Sequence, residues 1–421
     1  MLQDLLKSVS NVSLARRHWQ DMCRDMLRLK DEATVLKIAA ETLHRYAQFD
    51  ATERQAFFRF LLEEFRVDRD SLKAAIAQYQ LDPSPSAVQR LNHASQPARR
   101  QIFEILNMVP HGTLQLVAMR SDLLELLGED RDLEPVDQDL VALFRAWFNR
   151  GFLSLEQIDW QTPAAVLEKL IEYEAVHEIK GWEDLHRRLS ADRRCYAFFH
   201  PALPGEPIIF VQAALTDGLV GSIDQIIGTQ TSEPEARADT AIFYSISNCQ
   251  TGLKGIAFGD MLIKQVVDLI SGELPHIKTF ATLSPVPGFN RWLSTMRESN
   301  SLSEVERGMV DRVLADAGDF AWQDGDAQAV LSALCAHYLL NEKRGDAPLD
   351  AVARFHLRNG ARLERLNWAG DTSIKGLCES AGLLVNYVYD KRSVTKNHES
   401  YVYDGDVVSS SAIASLARKR R

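Results

Sequence analysis

Three features of the chain have residue types and spacing that could do chemistry: a glycine-rich segment, a serine and a histidine. The segment TGLKGIAFGD has glycines at positions 252, 255 and 259, and its final aspartate opens a helical pattern. Glycines let a backbone approach a ligand closely, and the first amides of a helix have no internal hydrogen-bond partner. Together with the helix dipole, such amides favour a phosphate or pyrophosphate. We therefore predict an anion site here, with a ligand-free turn as the alternative.

The glycine spacing differs from two well-known nucleotide motifs. No Lys-Ser/Thr follows the last glycine, as a Walker A sequence requires, and intervals of three and four residues do not make GxGxxG. The spacing alone therefore predicts an anion and does not identify it.

Ser284 and His356 are the two candidate reactive side chains. Ser284 ends an apolar run inside SPVPGF, where two prolines and a glycine restrict the backbone. Ligands of open α/β sheets tend to bind at such strand ends, although Ser-Pro can also simply terminate a strand. His356 lies between apolar residues in ARFHLRNGA, a context in which a lone histidine is more often structural than catalytic. The residues alone leave both alternatives open.

A strand–loop–helix–strand unit is predicted to position these groups. TAIFYSIS, from Thr240, has the β-branched and aromatic composition of a buried strand. After Asp260, a suitable N-cap, apolar residues recur at helical spacing as far as residue 270. A second strand at 279–283 then leads directly to Ser284.

The rest of the chain divides into two predicted domains. Residues 1–190 have helical periodicity throughout and no site motif, and we predict an all-helical domain that carries subunit contacts. From residue 191, CYAFFHP and IIFVQAAL predict a hairpin, and strands alternate with helices up to 421. The fold class is therefore α+β: a helical domain, then an α/β domain. The helices predicted before residue 190 are 33–46, 52–65, 69–79, 96–108, 113–127, 136–148, 167–174 and 182–189, with a break at 82–85.

Composition excludes several classes of function. The chain has 421 residues, 25% of them charged, and a net charge of −10, which gives no electrostatic case for nucleic-acid binding. No apolar run approaches the roughly 20 residues of a membrane span, and no HExxH or clustered ligand set indicates a metal. Five scattered cysteines suit a reducing cytoplasm. The N-terminus lacks signal-peptide features, while Arg16 and Arg17 leave an organelle presequence open.

Taken together, several long segments resemble the malonyl-CoA decarboxylase family. They are YSIS, GLKGIAFG, TLSPVPGFNRWL, DAVARFHLRNGARLERLNWAGD and GLLVNYVY, in order over about residues 180 to 405. The resemblance implies a catalytic domain with a fold like the GNAT acyltransferases and a helical domain that builds a homodimer or homotetramer. It also implies conversion of malonyl-CoA to acetyl-CoA and CO2, in fatty-acid or malonate metabolism, without metal or organic cofactor.

The resemblance also implies roles for particular residues. Ser284 would hydrogen-bond the malonyl group, with proton acceptance as its family role, and His356 would donate a proton. Asn359 and Tyr387 are candidate supporting groups, with capping a turn and packing a strand as their alternatives. Some members have Glu at position 257, so a mechanism that makes this Glu essential is in doubt here. Besides Ser284 and His356, the residues implied to hold substrate, through the CoA pyrophosphate, are Lys254, Gly255, Ile256, Ala257, Phe258, Gly259 and Asp260.

Two other classes of function remain as alternatives. A CoA-dependent acyltransferase of the GNAT class would use the same CoA site but pass the acyl group to an amine or a carrier protein. A non-catalytic CoA-binding module would keep the helical half and lose the chemistry, which the presence of both Ser284 and His356 disfavours.

Overall fold

The computed structural model describes residues 17–228, 237–256, 262–299, 301–315 and 324–418. The chain forms two compact units. The first unit contains Met1–Ser154, Phe199–Ile208 and Gln250–Phe258, and the second contains Leu155–Phe198, Ile209–Cys249 and Gly259–Arg421.

Helices make up the described part of the first unit. Four of the eight α-helices begin at a side chain that accepts a hydrogen bond from the first turn, such as Asp50, which forms a capping box with Glu53. Three short 3₁₀ turns lie at Arg131–Leu133, Arg150–Phe152 and Thr251–Leu253. The α-helices are α1 (Trp19–Arg28), α2 (Glu32–Tyr46), α3 (Ala51–Glu64), α4 (Arg69–Leu81), α5 (Pro85–Ala94), α6 (Arg99–Asn107), α7 (Gly112–Leu126) and α8 (Glu134–Trp147).

The prediction that residues 1–190 are wholly helical is wrong at one place. Ser154–Ile158 is a strand, β1, that pairs with the edge of the sheet in the second unit. Its side chains are mostly exposed, and it has no apolar pattern of its own. Backbone pairing with the neighbouring strand holds it in place. The sequence also missed α5, where Ser84 caps the helix and Pro85 takes its first position immediately after the predicted break.

A mixed sheet organises the second unit. The strands follow the order β1-β2-β3-β4-β5-β10-β6, and β9 pairs with β10. The pairings with a described register are antiparallel except that of β4 with β5, which is parallel. The remaining strands are β2 (Arg193–Phe199), β3 (Ile209–Thr216), β4 (Thr240–Asn248), β5 (Thr279–Thr282), β6 (Ser284–Pro285), β7 (Lys343–Arg344), β8 (Ala347–Pro348), β9 (Arg362–Asn367) and β10 (Leu384–Val388).

Eleven α-helices and a π-helical turn at Ser400–Asp404 are described around these strands. The helices are α9 (Ala164–Tyr173), α10 (Trp182–Arg188), α11 (Asp224–Ile227), α12 (Leu262–Glu273), α13 (Phe289–Glu298), α14 (Glu304–Ala315), α15 (Gly325–Asn341), α16 (Ala351–Arg358), α17 (Ile374–Ser380), α18 (Val394–Glu399) and α19 (Ser411–Arg418). A helical part followed by a mixed α and β part confirms the predicted fold class. Within the described ranges, no helix has the length and apolar character needed to cross a membrane.

The predicted strand–loop–helix–strand unit is present wherever the structure describes it. β4, α12 and β5 follow one another, and β4 and β5 pair in parallel from Thr240–Thr279 to Phe243–Thr282. Beyond that point β4 pairs with β3 alone, while the segment that follows β5 passes through Ser284 and pairs with β10. Ser284 therefore lies where the two parallel strands separate.

Candidate active site

Ser284 is held by the strands on which it lies. It pairs with Val385 of β10, and side chains two residues apart on a strand share a face, so Ser284 and Thr282 point the same way. The Ser284 Oγ atom donates to Thr282 Oγ1 at 2.9 Å, and both residues are buried. Just beyond them, the Val286 amide donates to Ser380 Oγ at 3.0 Å, which fixes the turn after the strand.

His356 lies in the last turn of α16, and both ends of this helix are specified by sequence. Asp350 caps the start, because its carboxylate accepts the Ala353 amide at 2.9 Å. Asn359 ends the helix, and its side-chain amide donates to the Phe355 carbonyl at 2.8 Å. Gly360 follows with φ +83°, and a Cβ there would lie 2.0 Å from the carbonyl oxygen of residue 394, so glycine is required for the chain to turn away.

The fold brings Ser284 and His356 into direct contact although they are 72 positions apart. The Ser284 Oγ and His356 Nε2 atoms are 3.0 Å apart. The other ring nitrogen, Nδ1, lies 2.8 Å from the hydroxyl of Tyr389. The Tyr387 ring stacks on the imidazole, with centroids 4.6 Å apart and planes inclined by 28°. A hydrogen-bonded chain therefore runs Thr282–Ser284–His356–Tyr389.

Burial keeps the imidazole neutral. His356 is 3% exposed, and desolvation lowers its pKa to about 3. Burial likewise raises the pKa of Tyr389 well above its usual range, so the phenol keeps its proton. The Ser284 hydroxyl has one proton, and it gives this proton to Thr282. Consequently His356 donates to Ser284 through Nε2–H, and its Nδ1 accepts from Tyr389.

The two predicted supporting groups have different surroundings. The amide of Asn359 is engaged with its own helix, which is the capping role. Tyr387 contacts the imidazole through its ring, but its buried hydroxyl has no hydrogen-bond partner among the described residues. The sequence analysis missed Tyr389, whose hydroxyl makes the hydrogen bond to His356 Nδ1. It had named Tyr387 as a candidate supporting group. The signal was available in NYVYD, because tyrosines at alternate positions of a strand face the same side.

The glycine-rich segment is described only in part. Lys254 and Gly255 are exposed, Ile256 is buried, and all three belong to the first unit. Gly255 has φ +79° and open space around the position of a Cβ, so its backbone conformation and not packing requires glycine. The other four residues predicted to hold substrate lie outside the described residues: Ala257, Phe258, Gly259 and Asp260.

A helical unit, a mixed-sheet unit and a buried serine–histidine pair at a strand end define an α+β protein with the side chains of an enzyme. In the described part of the chain, no group of three or more His, Cys, Asp or Glu side chains is placed to hold a metal ion.

Comparison with known proteins identifies the family. The model "Malonyl-CoA decarboxylase C-terminal domain" matches residues 151–421, and its N-terminal counterpart matches residues 65–148. Malonyl-CoA decarboxylase, mitochondrial, of Rattus norvegicus is 35% identical over 404 residues, 87% of this chain and 82% of the relative; that of Mus musculus is 36% identical over 405. The chain belongs to the malonyl-CoA decarboxylase family.

Solved structures of bacterial malonyl-CoA decarboxylases are similar over nearly the whole chain. That from Rhodopseudomonas palustris matches with a TM-score of 0.90 and 42% identity, covering 94% of this chain and 98% of its own. That from Agrobacterium vitis matches with a TM-score of 0.88 and 45% identity, covering 94% and 99%.

Proposed function

We propose that this chain converts malonyl-CoA to acetyl-CoA and CO2, with Ser284 and His356 as the catalytic pair. The observation that carries the proposal is the 3.0 Å contact between Ser284 Oγ and His356 Nε2, in a chain that belongs to the malonyl-CoA decarboxylase family. Two elements far apart in sequence meet at the end of a strand, which is where α/β sheets commonly bind ligands.

The reaction asks little of the protein. The carboxylate of malonyl-CoA is β to a thioester carbonyl, so loss of CO2 leaves an enolate that the thioester delocalises. The site must orient the carboxylate, stabilise the developing oxyanion and deliver one proton to carbon. A positioned hydrogen-bond donor at an oxyanion contributes about 3–4 kcal/mol, and a positioned proton donor about 10²–10⁴-fold in rate.

The geometry supports a division of these tasks between the two residues. The Ser284 hydroxyl can transfer its hydrogen bond from Thr282 to an oxygen of the malonyl group. His356 is too deeply buried to store a positive charge, so its part is to donate through Nε2–H. Because Nε2 faces Ser284 Oγ and Nδ1 faces the Tyr389 hydroxyl, Ser284 gives its proton to the enolate carbon and takes the Nε2 proton of His356. At the same time Nδ1 takes the hydroxyl proton of Tyr389, so the imidazole stays neutral. A proton from solvent then restores the resting state.

The glycine-rich segment is proposed to hold the CoA pyrophosphate through backbone amides. The positive φ of Gly255 supports this, because φ +79° turns the backbone within the segment. A helix that begins after such a turn presents free amides to an anion. The exposed Lys254 adds a cation next to that turn.

We further propose that the helical domain, assigned to residues 1–190, forms a homodimer or homotetramer. Helices α4 and α5 pack against each other, and each buries a single residue, Ala75 and Ala87. Their hairpin leaves apolar side chains open to solvent. These are Ile76, Tyr79, Leu81 and Val88.

A cytoplasmic location remains a proposal. None of the five cysteines, all of which lie in the described residues, forms a disulfide, and four of them are buried, which suits a reducing compartment.

One experiment tests the reaction directly. The purified protein should release CO2 from malonyl-CoA and form an equal amount of acetyl-CoA in the presence of EDTA, with no acceptor added. Malonyl-CoA turnover that requires an added amine or carrier protein would instead identify an acyltransferase. If malonyl-CoA is not consumed with or without an acceptor, both the decarboxylase and the acyltransferase assignments are refuted.

A further inference from the structure

Arg120 is a buried cation that contacts the segment leading into the glycine-rich loop. It lies on α7, is 3% exposed, and belongs to the first unit together with residues 250–258. Its Nη1 atom donates to the carbonyl oxygens of Gly252 and Lys254, at 2.7 and 2.9 Å. Its Nε atom donates to Asp137 at 2.7 Å, and Nη2 lies 3.5 Å from the same carboxylate. One guanidinium thus joins two helices to the segment.

Close packing fixes the same segment from a second side. A Cβ on Gly252 would lie 1.9 Å from the carbonyl oxygen of Val117, so the backbone of residue 252 rests directly on α7. Within the segment, the Leu253 and Lys254 amides donate to the carbonyls three residues before them, which forms a tight turn. The held carbonyl of Lys254 is followed at once by Gly255 with φ +79°, so the turn of the backbone at residue 255 lies directly beside the contact with Arg120.

We propose that Arg120 is a positioning residue for the CoA-binding loop, whose backbone it holds at residues 252 and 254. The inference rests on the proposed function of that loop. Asp137 orients the planar guanidinium, whose remaining donors then reach two carbonyls at once, a geometry that lysine lacks. Because the backbone at residues 252 and 254 is already held, substrate binding carries a smaller ordering cost there. Losing Arg120 therefore weakens binding of the nucleotide portion of the substrate and leaves the chemical step unchanged.

The first unit contains a matched control. Arg99 is also buried, and its Nε atom donates to Asp139 at 2.7 Å, the same distance as in the Arg120–Asp137 pair. Among the described residues, the Arg99 side chain forms its hydrogen bond and ion pair with Asp139 and none with residues 250–256. Arg120→Met and Arg99→Met each remove a buried ion pair, but only the first releases the loop.

The kinetic test compares these two variants with malonyl-CoA. Arg120→Met should raise KM by about tenfold or more, the equivalent of one charge-assisted hydrogen bond, and leave kcat within about threefold of wild type. Arg99→Met should leave KM unchanged at a similar loss of melting temperature. With malonyl-pantetheine, which lacks the pyrophosphate, Arg120→Met and wild type should have equal kcat/KM. An equal KM increase in both variants, or an equal deficit with malonyl-pantetheine, would overturn the positioning role.

Amide hydrogen exchange tests the positioning independently of the reaction. The amides of Leu253, Lys254 and Ile256 should exchange faster in Arg120→Met than in wild type or Arg99→Met, and unchanged exchange refutes the proposal even in an inactive protein. If Arg120→Met does not fold, Arg120→Lys serves in its place, because an ammonium keeps the charge but cannot span both carbonyls and Asp137. Failure of the proposed function would be distinguishable from failure of the positioning role, because the wild-type protein itself would then release no CO2.

Discussion

Tyr387 on β10 and Tyr389 just after this strand contact the same imidazole in different ways, and conservative substitutions should distinguish their roles. Tyr389→Phe removes the hydroxyl 2.8 Å from Nδ1 of His356 and leaves a buried acceptor without a partner. This costs about 1–3 kcal/mol of folding stability. Tyr387→Phe removes a hydroxyl that has no partner in the described structure and keeps the stacked ring. It should therefore leave stability unchanged or raise it by about 1 kcal/mol.

The same difference should appear in catalysis. Without Tyr389 the imidazole loses the donor that keeps Nδ1 an acceptor and Nε2 a donor towards Ser284. We expect kcat to fall by about 10–100-fold, or about 1.4–2.7 kcal/mol in the barrier, with KM for malonyl-CoA nearly constant. Tyr387→Phe should retain kcat within about threefold. Steady-state formation of acetyl-CoA and urea unfolding measure both quantities. Equal losses in the two variants, or the larger loss in Tyr387→Phe, would refute the hydrogen-bonded chain.

Three further outcomes are expected. Folding lowers the pKa of His356 from 6.5 to about 3, so between these pH values the unfolded chain binds a proton that the folded chain does not. The free energy of unfolding should therefore be highest above pH 6.5 and decline towards pH 3. Urea titrations should show a shallower decline in His356→Gln than in wild type, and parallel curves would contradict this. Leu81→Lys, on the exposed hairpin of α4 and α5, should reduce the mass of the oligomer measured by light scattering. Ile374→Lys is the control, because Ile374 is exposed to the same extent in the second unit, and it should leave this mass unchanged. Equal masses for the two variants would place the subunit contacts elsewhere. Gly255→Val should weaken CoA binding in calorimetry, because a β-branched residue is strained at φ +79°, and unchanged affinity in a folded variant would remove the loop from the CoA site.

Sequence patterns predicted much of the fold because local signals dominated it. The helix from Glu32 and the strand from Thr240 both follow strong periodicity and composition, and they lie where predicted. β1 could not be predicted from its own residues, since it exists through pairing with β2. A helix at Phe289–Glu298 was also missed, because its apolar residues lie close behind the turn-forming SPVPG sequence.

The sequence predicted which residues belong to the site but not the hydrogen bonds that join them. Local sequence context singled out Ser284 and His356 as candidates, and the family resemblance assigned their roles. No local pattern indicates that residues 72 positions apart touch. The sequence analysis named Tyr387 as a supporting group and not Tyr389, because which tyrosine hydroxyl reaches Nδ1 depends on tertiary packing. Arg120 was missed for the same reason, since the sequence of its helix does not indicate that the arginine binds backbone carbonyls 132 and 134 positions away.

The most direct test of the central claim is a double-mutant cycle on kcat for malonyl-CoA decarboxylation, with Ser284→Ala, His356→Gln and the double variant. Each single substitution should reduce kcat by about 10²–10⁴-fold, because the two side chains deliver one proton between them. The double variant should then be no slower than the slower single variant, with each protein folded by circular dichroism and saturated with substrate. If the two losses multiply, Ser284 and His356 act independently; if either single variant keeps wild-type turnover, the pair is not the catalytic unit.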